Sequence, residues 1–147
     1  MILNFIIGLG AVFALFWIYR TRKLVPSVIS LGMIAGIALV LLPGNKLLTA
    51  GLSIYIVFVL ITFVYGIFAK GLTIWPRLVI CIMSASILTY WFWRLNHLHG
   101  NELLLPILSV LIGAAALISQ AKLKNEAGFL VILAADAVAI IAENLMR

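Results

Sequence analysis

Asp136 stands near the middle of the last long apolar segment, Ala127 to Met146, where a bilayer-spanning helix buries it at the membrane midplane. On insertion scales an Asp at a helix centre costs about 2.5 to 3.5 kcal/mol, so such a residue faces a bundle interior or a water-filled cavity and takes a partner there. Two kinds of chemistry fit. One is an embedded acid that serves substrate, proton or cation; the other is a protonated carboxyl that only hydrogen-bonds a facing hydroxyl or backbone carbonyl, because low dielectric disfavours the charged form. The side chains expected within reach are Tyr55, Thr62, Ser84, Ser86, Thr89 and Ser109. No Lys, Arg or His falls at the same depth, which argues against a buried ion pair at Asp136. Glu143 follows seven residues later on the same helix face, about 10 Å along the axis, with Asn144 beside it. That is too far for a shared proton, but Asp136, Glu143 and Asn144 together could form a polar track from midplane to surface. Glu143 alone reads most simply as solvated at the interface.

The densest polar cluster is the loop Asn96 to Glu102. Two imidazoles, His97 and His99, with Glu102 nearby could hold a divalent cation. Spacing of two residues without a third firm ligand fits better with a wet interfacial loop, in which Gly100 ends one helix and Asn101 caps the next. No metal site and no cofactor is expected. Walker loops, GxSxG elbows, HExxH and dinucleotide fingerprints are all missing from the chain. The one cysteine, Cys81, lies inside an apolar run, so neither a disulfide framework nor a cysteine metal site is available.

The elements that must position these residues follow from hydropathy. The chain has 147 residues, 66% hydrophobic and 10% charged, with a mean hydropathy of +1.30, a composition far from that of soluble domains. Apolar runs at about 2–19, 24–42, 47–69, 78–93, 103–119 and 127–146 each approach the roughly 20 residues that a helix needs to cross a bilayer. The expected fold class is all-α: a single polytopic bundle over 1–147, six transmembrane helices in up-down order joined by short loops. The first run has no basic segment before it and no small-residue cleavage site, and it reads as a retained helix.

A net charge of +6 would suggest a nucleic-acid partner in a soluble chain, but here the basic residues sit in short loops, so none is expected. Loops one, three and five carry Arg20, Arg22, Lys23, Lys70, Arg77, Lys122 and Lys124, against Lys46, Arg94 and Arg147 on the other side. The positive-inside rule then places both termini outside the cytoplasm, with a bacterial inner membrane as the expected location. Trp17, Tyr19, Trp75, Tyr90, Trp91 and Trp93 fall at helix ends, where amphipathic rings favour the interface. Helices in lipid gain nothing by hiding Leu, so small residues mark packing faces. Gly32 and Gly36 form a GxxxG continuing from Val28; Ser109, Gly113, Ala116 and Gln120 line one face of helix five; Ala135, Ala139 and Ala142 accompany Asp136. Helices five and six are expected to pack closely, and ordinary packing is the simplest role for all three stripes.

The stretch Gly128-Phe-Leu-Val-Ile-Leu-Ala-Ala-Asp136, after a helix opening Leu105-Pro106, resembles the late helices of the YhhN-type, lysoplasmalogenase-like membrane family, with Lys23 to Pro26 and Gly51-Leu52 in compatible order. The resemblance implies that Asp136 is one half of a two-carboxylate site. Ala135 stands where that family has Ser, its earlier Gly-Asp helix has no counterpart, and six helices stand for eight. Arg94 to Gly100 is similar, over fewer than ten residues, to a His-x-x-Gly helix end of gliding-motility membrane proteins, without their Trp-Pro. The residues themselves favour a non-enzymatic protein, either a subunit of a larger membrane complex or a small-solute or lipid-handling protein. Membrane lipids, and possible membrane-protein subunits, are its expected partners. A lysoplasmalogenase-like lipid hydrolase and a proton- or cation-coupled carrier using Asp136 are the alternatives.

Overall fold

A computed structural model describes residues 2–96 and 103–146. Those residues form six helices and no strand: α1 (Ile2–Ile18), α2 (Leu24–Leu41), α3 (Asn45–Phe68), α4 (Ile74–Leu95), α5 (Leu104–Ile118) and α6 (Ala127–Leu145). Each packs on the next and α6 closes on α1, so the helices make a ring; α6 also touches α2 and α4 and is its most enclosed member. The expectations for His97, His99, Gly100, Asn101 and Glu102 fall outside the described residues.

The helix limits have local causes. Trp75, Pro76 and Arg77 were expected to break the chain before a helix at 78, yet α4 begins at Ile74. Pro76 occupies the first turn, where its missing N–H has no intrahelical acceptor to lose. Arg77 then donates from its guanidinium to the carbonyls of Gly66 (3.3 Å) and Ile67, which satisfies acceptors at the negative end of α3. Asn45 opens α3 two residues earlier than hydropathy indicates, after Gly44 turns the chain at φ +136°. Helix α5 ends in a Schellman closure: Gln120 lies in the left-handed region at φ +49°, and the N–H groups of Gln120 and Ala121 reach the carbonyls of Leu117 (3.1 Å) and Ala116 (3.0 Å).

Four helices, α2, α3, α4 and α6, are long and apolar enough to cross a membrane. The apolar stretches of α1 (Asn4–Ile18) and α5 (Leu104–Ile118) are shorter, about 23 Å each at 1.5 Å per residue, against a hydrocarbon core of about 30 Å. Both still turn large apolar side chains outward, among them Phe5, Leu9, Phe16, Leu111, Leu117 and Ile118. An apolar exterior of that extent needs lipid or protein around it rather than water.

Small residues decide how near the helices come. A methyl added at Gly36 would lie 2.8 Å from the Tyr55 backbone N and 2.9 Å from the Gly51 carbonyl, and one at Gly51 2.7 Å from the Gly36 carbonyl. Helices α2 and α3 therefore cross backbone against backbone. Gly32 receives the Phe58 ring. Along α6 the tightest small-residue contact is not with α5: a Cβ at Gly10 of α1 would sit 2.6 Å from the Ala135 Cβ. Helices α5 and α6 are neighbours, but an apolar groove of about 310 Å³ opens between them, and Gly113 faces Met83 of α4. The expected close packing of five on six gives way to contact around a groove, because the small side chains there leave space that no neighbour fills.

Candidate functional site

The bundle holds a cleft of about 90 Å³ floored by Asp136. Nine residues separate Asp136 from each end of α6, about 14 Å on either side, and its side chain is 4% exposed. The cleft opens where α1 begins and α2, α4 and α6 end, since Asn4, Leu41, Arg94 and Glu143 line it there. Ile37, Leu52 and Ile140 form apolar walls between mouth and floor.

Two neutral donors hold the acid. The Tyr55 hydroxyl donates to Asp136 Oδ2 at 2.8 Å and the Trp91 indole N–H to the same oxygen at 3.2 Å. Oδ1 takes no donor from the described residues, and it is not among the buried polar atoms that lack a partner. Asp136 itself lines the cleft, with both of these donors on Oδ2. Tyr55 reaches that oxygen from α3, whose backbone stays apart from that of α6. The Gly36–Gly51 crossing makes this possible: by letting α3 lie directly on α2, it brings the phenol within range of a carboxylate on the far side.

The other expected partners are occupied at home. Thr62, Ser84, Ser86 and Thr89 donate to the carbonyls of Phe58 (2.8 Å), Ile80 (2.6 Å), Ile82 (2.7 Å) and Ala85 (2.8 Å), each four residues back. Ser109 is buried away from the cleft, and its hydroxyl has no partner among the described residues. Glu143 is not simply solvated as expected: Arg94 Nη2 lies 3.3 Å from its Oε1, and the same guanidinium donates to the Tyr90 hydroxyl at 2.8 Å and covers the Trp91 ring at 5.7 Å. The track therefore contains Asp136 and Glu143 with Arg94 above them. Asn144 turns away, its amide donating to the Ile140 carbonyl at 2.9 Å.

Glu126, expected in a loop, is the most enclosed acid among the described residues at 1% exposure. It accepts from the Tyr65 hydroxyl at 3.1 Å and lies 3.8 Å from the half-exposed ammonium of Lys23. Its cluster joins the starts of α2 and α6 to the end of α3, at the end of the bundle opposite the cleft mouth. Buried Phe129 and Leu133 of α6 and Met33 of α2 fill the interior between, so the cleft reaches Asp136 from one end only. No group of three His, Cys, Asp or Glu side chains with metal-holding geometry occurs among the described residues.

Fold and site together define a class: an all-helical bundle with helices apolar enough to span a membrane, and an acid-floored cleft entered from one end. Comparisons with protein-family models, with curated proteins and with solved structures each returned no match.

Proposed function

We propose that the protein is an integral membrane protein whose six helices all cross the bilayer, and that it handles a small solute or a lipid head group by binding it, without chemical conversion, against Asp136. The single observation that carries this reading is the one-ended cleft with Asp136 at its floor. A subunit whose only role is packing needs no such cavity, and an intramembrane acid beside a cavity is a functional group by default. The short spans of α1 and α5 are accommodated by local bilayer thinning and by flanking aromatic anchors, at fractions of a kcal/mol per Å.

The loop charges support a cleft mouth on the non-cytoplasmic side, with both termini there, as in a bacterial inner membrane. Hydrolysis of the lysoplasmalogenase-like kind would need a second group to activate water within hydrogen-bond reach. The groups that meet Asp136 are a phenol and an indole, which position it instead. A carrier would need a polar route onward, and Phe129, Leu133 and Met33 stand in that route.

A thermal-shift screen tests the binding reading, with small amines, polyols and glycerophosphoryl head groups tried against purified protein in mild detergent. A true ligand at a hundred times its Kd raises stability by about 2.7 kcal/mol. Asp136→Asn, which keeps an acceptor for Tyr55 and Trp91, should fold normally and lose that shift. Stabilisation of the two proteins to the same extent would refute a role for Asp136 in binding.

A further inference from the structure

The groove between α5 and α6 is a second site, on another face of α6 from the Asp136 cleft and lined by different residues. Its walls are apolar, with Gly113, Ala116, Ala127 and Ala134 leaving the space that larger side chains would fill. Along α6 it runs from Ala127 to Val138, eleven residues or about 16 Å. That length matches half of a hydrocarbon core about 30 Å thick, the depth of a single leaflet.

One end of the groove lies at the loop between α5 and α6, and there the residues alternate. Ala121 and Leu123 line the groove, while Lys122 and Lys124 between and beyond them point to solvent. The loop is held in place rather than draped. The Schellman closure fixes its start, the Trp75 indole donates to the Ser119 hydroxyl at 2.8 Å, and the Trp17 indole donates to the Lys124 carbonyl at 2.7 Å. Two ammonium groups are thus displayed at head-group level above a slot one leaflet deep.

We infer that the groove between α5 and α6 seats one acyl chain of an anionic phospholipid, whose phosphate is met by Lys122 and Lys124. This inference rests on the proposal that the helices cross a membrane and is independent of what Asp136 binds. An apolar slot in lipid fills with an acyl chain for want of any other occupant, and the paired lysines make an anionic head group the favoured one, as basic juxtamembrane pockets do.

Native mass spectrometry of the full chain, released from detergent carrying phosphatidylglycerol and phosphatidylcholine of matched chains, tests it. The wild type should retain phosphatidylglycerol about twenty-five-fold over phosphatidylcholine, since each of the two basic residues near the surface contributes roughly a fivefold preference. Lys122→Gln with Lys124→Gln should bring that ratio to about one while lipid is still retained. Gly113→Leu with Ala134→Leu should lose both lipids. The lysine variants are exposed and leave packing alone, so their arm stands even if the groove variants misfold. Equal retention of the two lipids by the wild type, an unchanged ratio in the lysine variants, or a dimer with a second copy in the groove would each overturn the inference. Asp136→Asn should leave the ratio as it is, which separates failure here from failure of the cleft reading.

Discussion

Gly36→Ala changes a residue that touches neither ligand nor acid, yet it should damage the Asp136 site. The new methyl would lie 2.8 Å from the Tyr55 backbone N and 2.9 Å from the Gly51 carbonyl, where ordinary contact begins at 3.4 Å. Both obstacles are backbone atoms, so the helices must part by about 0.6 Å, and overpacking of this kind costs about 1 to 3 kcal/mol. Helix α3 takes up most of the movement, because α2 also packs on α1 and α6 whereas α3 has only α4 behind it. Outward movement of α3 by that amount would stretch the Tyr55–Asp136 hydrogen bond from 2.8 Å to about 3.4 Å, outside the range for O–H···O bonds.

A double-mutant cycle with Tyr55→Phe, read by equilibrium unfolding in mixed micelles and tryptophan fluorescence, measures the coupling. Interhelical hydrogen bonds in membranes average about 0.6 kcal/mol and reach about 1.7. If Gly36→Ala already breaks this bond, the double variant should lose less than the sum of the single losses by about that amount. Additivity within about 0.5 kcal/mol at the upper end of that range, or a variant whose Tyr55–Asp136 bond persists by spectroscopy, would refute the chain of argument from crossing to site.

Other perturbations probe separate parts of the structure. Tyr65→Phe should destabilise the protein by about 1 to 2 kcal/mol, because it strips a donor from a fully buried carboxylate. Lys23→Met should cost under about 1 kcal/mol, since that ammonium is 44% exposed and 3.8 Å away; chemical denaturation of the two variants gives the ranking. Gln120→Gly relieves a side chain held at φ +49° and should be stabilising by up to about 1 kcal/mol, seen as a higher unfolding midpoint. In a Cys81→Ser background, Ile37→Cys on the cleft wall should react with a membrane-impermeant maleimide from one side of oriented vesicles only, whereas reaction from both sides would show the interior plug to be open.

Hydropathy alone reveals the six helices, because an uninterrupted apolar run of sufficient length has few other fates. It also isolates Asp136, since any lone acid in such a run stands out. What escapes it is how side chains are spent. Thr62, Ser84, Ser86 and Thr89 looked like partners, yet a hydroxyl in mid-helix satisfies itself on the carbonyl four residues back, and that rule could have removed them beforehand. Trp91 read as an interface anchor because it lies four residues from the end of α4. An indole is long enough to reach inward from there, and no periodicity tells which way it turns. Arg94 and Glu126 were treated as loop or boundary charges; the ion pair of the one and the burial of the other depend on which helices adjoin, which a single sequence does not encode in its spacing.

Three of the four acids in the chain, Glu126, Asp136 and Glu143, lie on α6 or at its first turn. Each takes its donors from other elements: Tyr65 of α3 and Lys23 before α2, Tyr55 of α3 and Trp91 of α4, and Arg94 of α4. In lipid the apolar faces of helices are nearly interchangeable, so burial does little to choose one rotation or vertical register over another. Polar contacts at three levels of the central helix do choose, because a slip of one turn, about 5.4 Å, would leave each acid without its donors in a medium where that is costly. At the ends Glu126 meets Tyr65 and Lys23, and Glu143 meets Arg94. Asp136 is the one of the three that floors the cleft. Fixing the register and holding the acid at the cleft floor are thus performed by the same set of residues, which is why a change at the Gly36 crossing is expected to be felt at the site as well as in stability.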